Sequence, residues 1–485
     1  MLGIIIFIVI LVASFILAVA SKKGAIASNM NDVMTASGSF GGFLVFFVSV
    51  GEIYALGTLI GAPGAIFAQG ANYGVWFIGY VLLAYVVGYF LNPASWRLGQ
   101  LSKAMTLADN IGWRYNSKVL EVIVACVGIG FLTPWIQNQF AGMAILFNYL
   151  NIGINFYGAV VISSILAFVY ILIAGIRAPA WVSILKDILL VAAIIIIGIA
   201  AAIHHNGGVT GIFQTVQSTH PESLFVQPGK PVGFTISTII FQMCGFYMLP
   251  ITFQAVLTSR NEKILRENTI FMPLYMLMFP FLVITAYFAV ATIPDLPNKD
   301  FATLAVAVDT LPNWMMGFIA GGGAITAILV MAMTALCVGG LFSKNIIGVI
   351  RPKTKEKTLV VLVRVVTAIF LCFGMITAIY FPNIMANVIT IAYGGLSQTF
   401  AGVLLGFFWK KTNKWSVGAG ILCGVATYAI LVNMFPNPLG LNSGFWALAA
   451  NFIVTIILSL IIKPDALTVK RFEAFQLARP NRKIS

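Results

Sequence analysis

Apolar residues run along this chain in long blocks separated by short polar stretches. A helix needs about 20 apolar residues to cross a roughly 30 Å hydrocarbon layer, and about thirteen blocks meet that length. They fall near residues 2–20, 40–68, 71–92, 119–149, 155–174, 179–203, 233–257, 268–293, 314–348, 358–380, 385–409, 415–435 and 443–462. Pro and Gly interrupt several of them, and the alternating ten-residue signal of a membrane barrel is missing, so every block is expected to be a helix. The pattern predicts an all-α polytopic membrane protein.

The polar stretches alternate in charge. One set carries Lys22 and Lys23, the run 97–118, Arg177, the runs 260–266, 351–357 and 410–414, and the tail 463–483, whereas the opposite set holds Lys230 and Lys299. Basic residues collect in cytoplasmic loops, which predicts an odd number of spans in a cell membrane, the N-terminus outside and the C-terminus in the cytoplasm. The two longer outer loops, 204–232 and 294–313, carry His204, His205 and His220 without metal-ligand spacing and are read as solvated lids.

Composition sharpens the class. Hydrophobic residues make up 60% of the 485 and charged residues 9%, against about a quarter charged in soluble domains, so apolar side chains must face lipid as well as one another. The net charge of +14 would suggest nucleic acid in a soluble protein, but its confinement to short loops is the orientation pattern instead. Cys126, Cys244, Cys337, Cys372 and Cys423 all lie in apolar blocks with no CxxC or Cys/His cluster, which implies neither a disulfide frame nor a metal site. The first block has no basic residues before it and is long for a signal peptide, so it reads as a retained span.

Charges inside spans are costly, and each is a candidate for function. Three stand out: Glu52, Lys186 and Asp187. Glu52 lies about 12 residues into its block, roughly 18 Å along a helix axis and near the middle of the bilayer. Lys186 is about 7 residues past Pro179, roughly 10 Å, close enough for its side chain to snorkel back to the interface. Asp187 has no such reach and needs an ion-pair partner or water.

The span around Glu52 reads VGEIYALGTLIGAPGAIFAQG, 50–70. Its glycines and Pro63 make a continuous helix costly and predict a break between 54 and 58, unless the glycines serve only as a close-packing face. Gly245 and Pro250 interrupt the seventh span in the same way, within FQMCGFYMLPITFQ, 241–254. Interrupted spans five helices apart are the signature of an inverted repeat of five plus five helices with a binding site at the breaks. The expected organisation is residues 1–39 as first helix and linker, 40–203 as repeat one, 204–410 as outer loop and repeat two, 411–462 as two further helices, and 463–485 as a basic cytoplasmic tail.

With these motifs in place, the chain resembles the sodium:solute symporter family over nearly its whole length. IGAPGAIFAQG at 60–70 is similar to that family's motif in the second helix, and AGIRAPAWVSILKDILL at 174–190 to its signature between the fifth and sixth. GEIY at 51–54, GIRAPA with Lys186 and Asp187, PITFQAVLTS at 250–259 followed by NEKILREN and PLY, and GGLFSKNI at 339–346 resemble the bacterial monocarboxylate permease branch. The resemblance implies thirteen helices, a leucine-transporter-type core in helices two to eleven, and alternating access. It implies cation-coupled symport of a small organic solute such as pyruvate or lactate, an amino acid such as proline being the alternative and a transporter-derived sensor the remote one. No organic cofactor and no obligate protein partner are indicated, the partners being solute and membrane lipid.

Two departures from the sodium-coupled pattern bear on the ion. Aligned from SKNI, the adjacent Ser/Thr hydroxyls of the ninth helix become Leu329 and Val330, which offer no oxygen to a hard cation; Thr326 and Thr334 are the nearest hydroxyls. The family's Thr-Asp pair in the sixth helix becomes Val182 and Ser183, with Lys186 a turn later where many members have Gln. An ammonium can take the place of a bound cation, and a Lys desolvated in a helix bundle can exchange protons. Glu52, Lys186, Asp187, Ser183 and Thr334 are therefore the ion-coupling candidates, with Lys186 expected to reach Glu52 across the roughly 8 Å axial offset. Na+ and H+ both remain open as coupling ion.

Free N–H groups at a half-helix break suit a carboxylate. Tyr54, Gly57 and Thr58 at the break, with Trp135, Gln139, Gln242, Tyr247 and Tyr393 and also Gln398, are the solute-site candidates, each alternatively an interhelical or interfacial contact. An enzyme is not expected, since HExxH, GxSxG and paired intramembrane Asp are all absent from the sequence. Some twenty residues follow the last span, too few for a signalling domain, and scattered single charges suit a carrier better than a channel.

Overall fold

The structure is a computed structural model that describes residues 2–22, 29–150, 156–226, 228–380 and 385–478. Lys23 and the end of the basic tail, including Lys483, lie outside the described residues. Helix dominates, and the described residues pair as strand at one isolated bridge, Phe40 with Ser259.

The spans in order are α1 (Leu2–Ala20), a bent pair α3 (Gly42–Ile53) and α4 (Ala62–Gln69, entered through a π-turn at Gly57–Gly61), α5 (Ala71–Ser102), α7 (Lys118–Leu150), α8 (Phe156–Ala174), α9 (Arg177–His204), a second interrupted pair α11 (Lys230–Gly245) and α12 (Pro250–Leu257), α13 and α14 (Glu262–Phe271, Phe279–Thr292), α16 (Asn313–Gly340), α18 (Glu356–Tyr380), α19 and α20 (Met385–Leu396, Phe400–Phe408), α21 (Lys414–Met434) and α22 (Ser443–Ile461). Among the described residues, eleven helices are long and apolar enough to cross a membrane, twelve if the bent pair is taken as one span; α8 stands where the sequence places the fifth span. Between them lie α2 (Met30–Thr35), α6 (Leu107–Arg114), α10 (Gly208–Thr219), α15 (Ala302–Thr310), α17 (Gly348–Ile350) and the terminal α23 (Ala466–Leu477).

Both breaks form where glycine and proline weaken the helix. In the first, Tyr54 is extended (φ −87°, ψ 95°) and the two halves meet at 51°. In the second, α11 ends at Gly245, Leu249 is extended (φ −60°, ψ 125°), and Pro250 opens α12 as its first residue, a position where a missing N–H costs nothing. The two interrupted helices stand at the positions expected to open the two five-helix units, α3 to α9 and α11 to α20. They also meet directly: Phe40 N–H bonds to Thr258 O at 2.9 Å and Arg260 N–H to Phe40 O at 3.2 Å.

The core centres on α16, which is buried along nearly its whole length and packs against α1, α7, α8, α9 and α18. Small residues bring these backbones together, as expected where lipid removes the hydrophobic drive between helices. A Cβ on Gly317 would stand 1.9 Å from Gly3 O of α1, and one on Gly321 2.8 Å from Ile10.

Each end of the bundle is closed. On the face with the basic loops, α2 plugs the space beneath α3: Asp32 pairs with Arg177 at 2.6 Å, Ile176 N–H bonds to Val33 O at 3.0 Å, and Met30 N–H to Glu356 Oε1 at 2.8 Å. The tail forms the helix α23, which docks through Phe475 on Phe407, with Arg114 Nη1 donating to Thr468 O at 3.2 Å. On the opposite face, 294–313 was expected to be a solvated lid. Instead Ala302 to Ala307 of α15 are buried, and Thr303 Oγ1 donates to Leu59 O at 2.7 Å. The block is short for a span yet mostly apolar, so it packs inward once α4 and α14 offer a surface.

Candidate functional site

The break in α3 leaves carbonyls without helical partners. In a continuous helix, Gly51 O and Tyr54 O would accept from N–H groups four residues on. With Tyr54 extended, both turn to the Lys186 ammonium, which donates to Gly51 O at 3.0 Å, to Tyr54 O at 2.5 Å and to Asp187 Oδ1 at 2.5 Å. An ammonium has three donors, and all three are used. Lys186 is 0% exposed and Asp187 1%, so the side chain turns into the core and does not snorkel. A buried ion pair is tolerated only when its remaining polar groups are satisfied; here the carbonyls satisfy the ammonium, and Tyr275 donates its hydroxyl to Asp187 Oδ1 at 3.0 Å. Asp187 Oδ2 is buried with no partner among the described residues.

The other ion candidates fall around this cradle unevenly. Glu52 is 1% exposed but forms no ion pair with Lys186 within 4 Å, which corrects the expected contact; it sits on the same turn as Gly51, but the ammonium is drawn to the freed carbonyls. Ser183 packs its Cβ against Gly51 and spends its hydroxyl on Ala180 O at 2.8 Å. Thr334 Oγ1 is buried with no partner among the described residues, whereas Thr326 bonds back to Gly322 O at 2.7 Å. Leu329 and Val330 are fully buried. Among the described residues, no group of three or more His, Cys, Asp or Glu is placed to hold a metal ion.

A second space opens on the other side of Tyr54. Tyr54, Gly57, Thr58, Trp135, Gln139 and Tyr393 line one narrow cavity of about 20 Å³, room for roughly one water. Thr58 and Leu59 N–H both turn back to Ala55 O, so the second half-helix begins here, and the first N–H groups of a helix have no internal partner. Three lining side chains also carry buried polar atoms without a partner among the described residues: Trp135 Nε1, Asn138 Oδ1 and Gln139 Oε1. Native interiors rarely leave such groups unpaired, so together they mark a place for a polar ligand. Tyr54 belongs to both spaces: its carbonyl holds the ammonium, and its ring lines the cavity while stacking on Tyr275 with centroids 4.3 Å apart.

Three solute candidates, Tyr247, Gln242 and Gln398, do not line this cavity. Tyr247 lays its ring on Gly88 of α5, where a Cβ would lie 2.3 Å from it. Gln242 on α11 is fully buried, with both amide atoms unpartnered among the described residues. Gln398 is interhelical glue, accepting from Asn451 Nδ2 of α22 at its backbone oxygen, 2.6 Å. Residues not expected from the sequence complete the site. Tyr80 and Asn138 line the cavity, Tyr85 exchanges a hydrogen bond with the Tyr54 hydroxyl, and Tyr275 bridges to Asp187. The signal for Tyr80 was present as an aromatic stripe, Tyr73, Trp76, Phe77 and Tyr80, at helical spacing. Tyr275 sits on a 3₁₀ segment, Met272–Met278, whose facing no α-helical period reveals.

Known proteins place this arrangement. The chain is 30% identical over 470 residues, 94% of its length and 96% of the relative's, to an uncharacterized symporter, YhjB, of Bacillus subtilis (strain 168). It is 22% identical over 445 residues, 88% of this chain and 90% of the other, to the monocarboxylate transport permease protein of Rhizobium johnstonii. The fold matches that of a Na+-coupled sialic acid symporter in a substrate-bound outward-open state, at a TM-score of 0.75 and 17% identity, covering 96% of this chain and 98% of that one. That likeness establishes the leucine-transporter-type architecture of five plus five helices. Residues 33–424 match the family description itself, and the chain belongs to the sodium:solute symporter family.

Proposed function

We propose that this protein is a secondary active transporter that moves a small monocarboxylate together with a proton, by alternating access, with Lys186 standing where relatives would bind sodium. The observation that carries the reading is the bonding of the Lys186 ammonium to Gly51 O and Tyr54 O, carbonyls released by the helix break. A sodium ion at this point would need those same oxygens, and Leu329 and Val330 add none. The donor set therefore fits a tethered cation and not a free one.

The lining favours a monoanion, for which the cavity, now about the size of one water, must widen. Its lining contains no acidic side chain to hold the ammonium of an amino acid and no basic one to hold a second carboxylate. A single carboxylate would face the N-terminal N–H groups at 55–57 with the Trp135 indole as a further donor. Because Tyr54 closes the cation cradle with its backbone and the cavity with its ring, loss of the proton from Lys186 would free its carbonyl and loosen the wall around the solute. The cycle then couples one proton to one anion. We further propose that the basic face is cytoplasmic, with the N-terminus of α1 outside.

The test is counterflow and uptake in proteoliposomes across a panel of monocarboxylates and amino acids, with sodium and pH gradients imposed separately. Acid outside should drive accumulation in sodium-free buffer. Uptake that requires sodium and ignores the pH gradient would overturn the coupling assignment, and absence of counterflow for every solute would overturn the carrier reading.

A further inference from the structure

Two cavities on the basic face share a wall. The first, about 370 Å³, is lined in part by charged side chains and lies among α6, the start of α7, the π-turn Leu341–Ile347 and α23; the second, about 560 Å³, is a mainly apolar groove between the first turns of α7 and α21. Asn116, Ser117 and Lys118 line both. The chamber thus adjoins the groove, and the groove runs up the outside of two membrane spans. From Lys414 to Leu422 it covers about 12 Å of axis, from the membrane interface into the hydrocarbon.

The charges of the chamber are not balanced internally. Asp109 accepts from Lys344 at 2.7 Å, from Asn345 at 2.6 Å and from the Met105 and Thr106 N–H groups. Glu121 accepts from Lys118 at 2.8 Å and from Asn345 at 2.9 Å. Both carboxylates are already paired with a lysine, yet the Arg471 guanidinium has no carboxylate within 4 Å among the described residues, donates one N–H to Trp113 O and lies over the Trp113 ring. The Lys118 side chain is 75% exposed and keeps donors free. At the lip of the groove stand Lys414, only loosely paired with Asp465 at 3.9 Å, and Trp415, 64% exposed, the residue types that settle at a headgroup layer. Both helices present their positive N-terminal ends here.

We propose that this pair of chambers is a binding site for an anionic phospholipid of the leaflet on the basic face, with the phosphate between Arg471 and Lys118, the polar headgroup in the chamber beside α6, and an acyl chain along Val119, Ile123, Ala419 and Leu422. The groove is inside the bilayer, so lipid covers it in any case; the adjoining surplus of cationic donors selects an anionic headgroup over a zwitterionic one. Through α23 and α6, the bound lipid would brace the elements that close this face.

The experiment uses the full chain purified in neutral detergent. Native mass spectrometry and thermal unfolding are followed on addition of phosphatidylglycerol, phosphatidylcholine with the same acyl chains, or soluble glycerol 3-phosphate. Phosphatidylglycerol should bind and stabilise at concentrations at least tenfold lower than phosphatidylcholine, with glycerol 3-phosphate inert. Arg471→Gln combined with Lys118→Gln should remove that tenfold preference. Ala419→Trp, which fills the groove and leaves every charge in place, should weaken phosphatidylglycerol binding about as much, and it serves where the charge variant fails to fold. Equal response to the two lipids, an equal response to glycerol 3-phosphate, or a preference that survives both variants would overturn the assignment.

Discussion

At the scale of the residue, the buried pair Lys186 and Asp187 makes the sharpest demand. Removing one partner of a buried ion pair costs about 3–5 kcal/mol, because the other charge is left unpaired. Lys186→Gln should therefore both lower the thermal midpoint and abolish acid-driven accumulation. Lys186→Gln with Asp187→Asn should recover much of the stability and still fail to accumulate solute, which separates coupling from folding. Gly57 is constrained differently: a Cβ there would stand 2.9 Å from both Asn138 Nδ2 and Ile389 Cδ1. Gly57→Ala should cost about 1–3 kcal/mol of overpacking at the site and lower the initial uptake rate about tenfold, with protein yield little changed. Lys186, Asp187 and the polar lining were legible in the sequence because a charge or amide in an apolar block has few innocent explanations. The partner of Lys186 was not: spacing along one helix says how far a side chain reaches, but not that backbone carbonyls nearby have lost their own donors.

Asp300 supplies a pH-dependent term outside the spans. Its Oδ2 accepts from Met385 N–H at 3.1 Å, and burial pushes its carboxyl from the usual 3.8 up to about 6, with that N–H opposing the shift. A carboxyl raised in the folded state binds a proton there that the unfolded chain has already released. Stability from this group is thus fully present below about pH 4 and lost as pH rises through about 6, by about 3 kcal/mol at most. Asp300→Asn should flatten the part of the melting profile between pH 4 and 6 relative to the parent protein, as read by thermal unfolding in detergent.

At the scale of the element, helix existence and breaks were almost wholly legible. Hydrocarbon thickness sets span length, and glycine with proline sets where a helix is weakest, so the interruptions at 54–58 and 245–250 appear where expected. What the pattern missed were elements whose burial depends on neighbours. The helix α15 is too short to register as a span, and α23 looks polar until Phe475 meets Phe407. The contact of α1 with α16 yields a further prediction. Gly317→Val would drive a side chain into the Gly3 carbonyl, and the backbone shift it forces should exceed the about 1–3 kcal/mol of ordinary core overpacking. The expected result is loss of folded protein in detergent, with Gly321→Ala, which meets only the Ile10 side chain, milder.

At the scale of the molecule, most of the residues lining the narrow cavity are buried in this structure, and under the proposed alternating access the segment α2 is the element expected to move. Arg177 holds it through Asp32 at 2.6 Å and through Ala36 O at 3.2 Å. Arg177→Ala should shift the population toward opening on the basic face, seen as faster labelling of a cysteine placed at Thr58 by a membrane-impermeant maleimide applied to that side. The alternation of basic loops gives an expected sidedness from the sequence, because that signal is summed over many residues. The closure was not legible there, since it rests on single contacts between segments far apart in the chain.

A cation carried on a side chain cannot be diluted, or outcompeted by metal ions; it is lost only with its proton. Whatever the salinity of the surroundings, the position beside Tyr54 is filled once per molecule, and lithium, potassium or sodium in the medium have nothing to displace. Under the proton coupling proposed above, the protein is expected to work unchanged between fresh water and brine and to fail in alkaline surroundings.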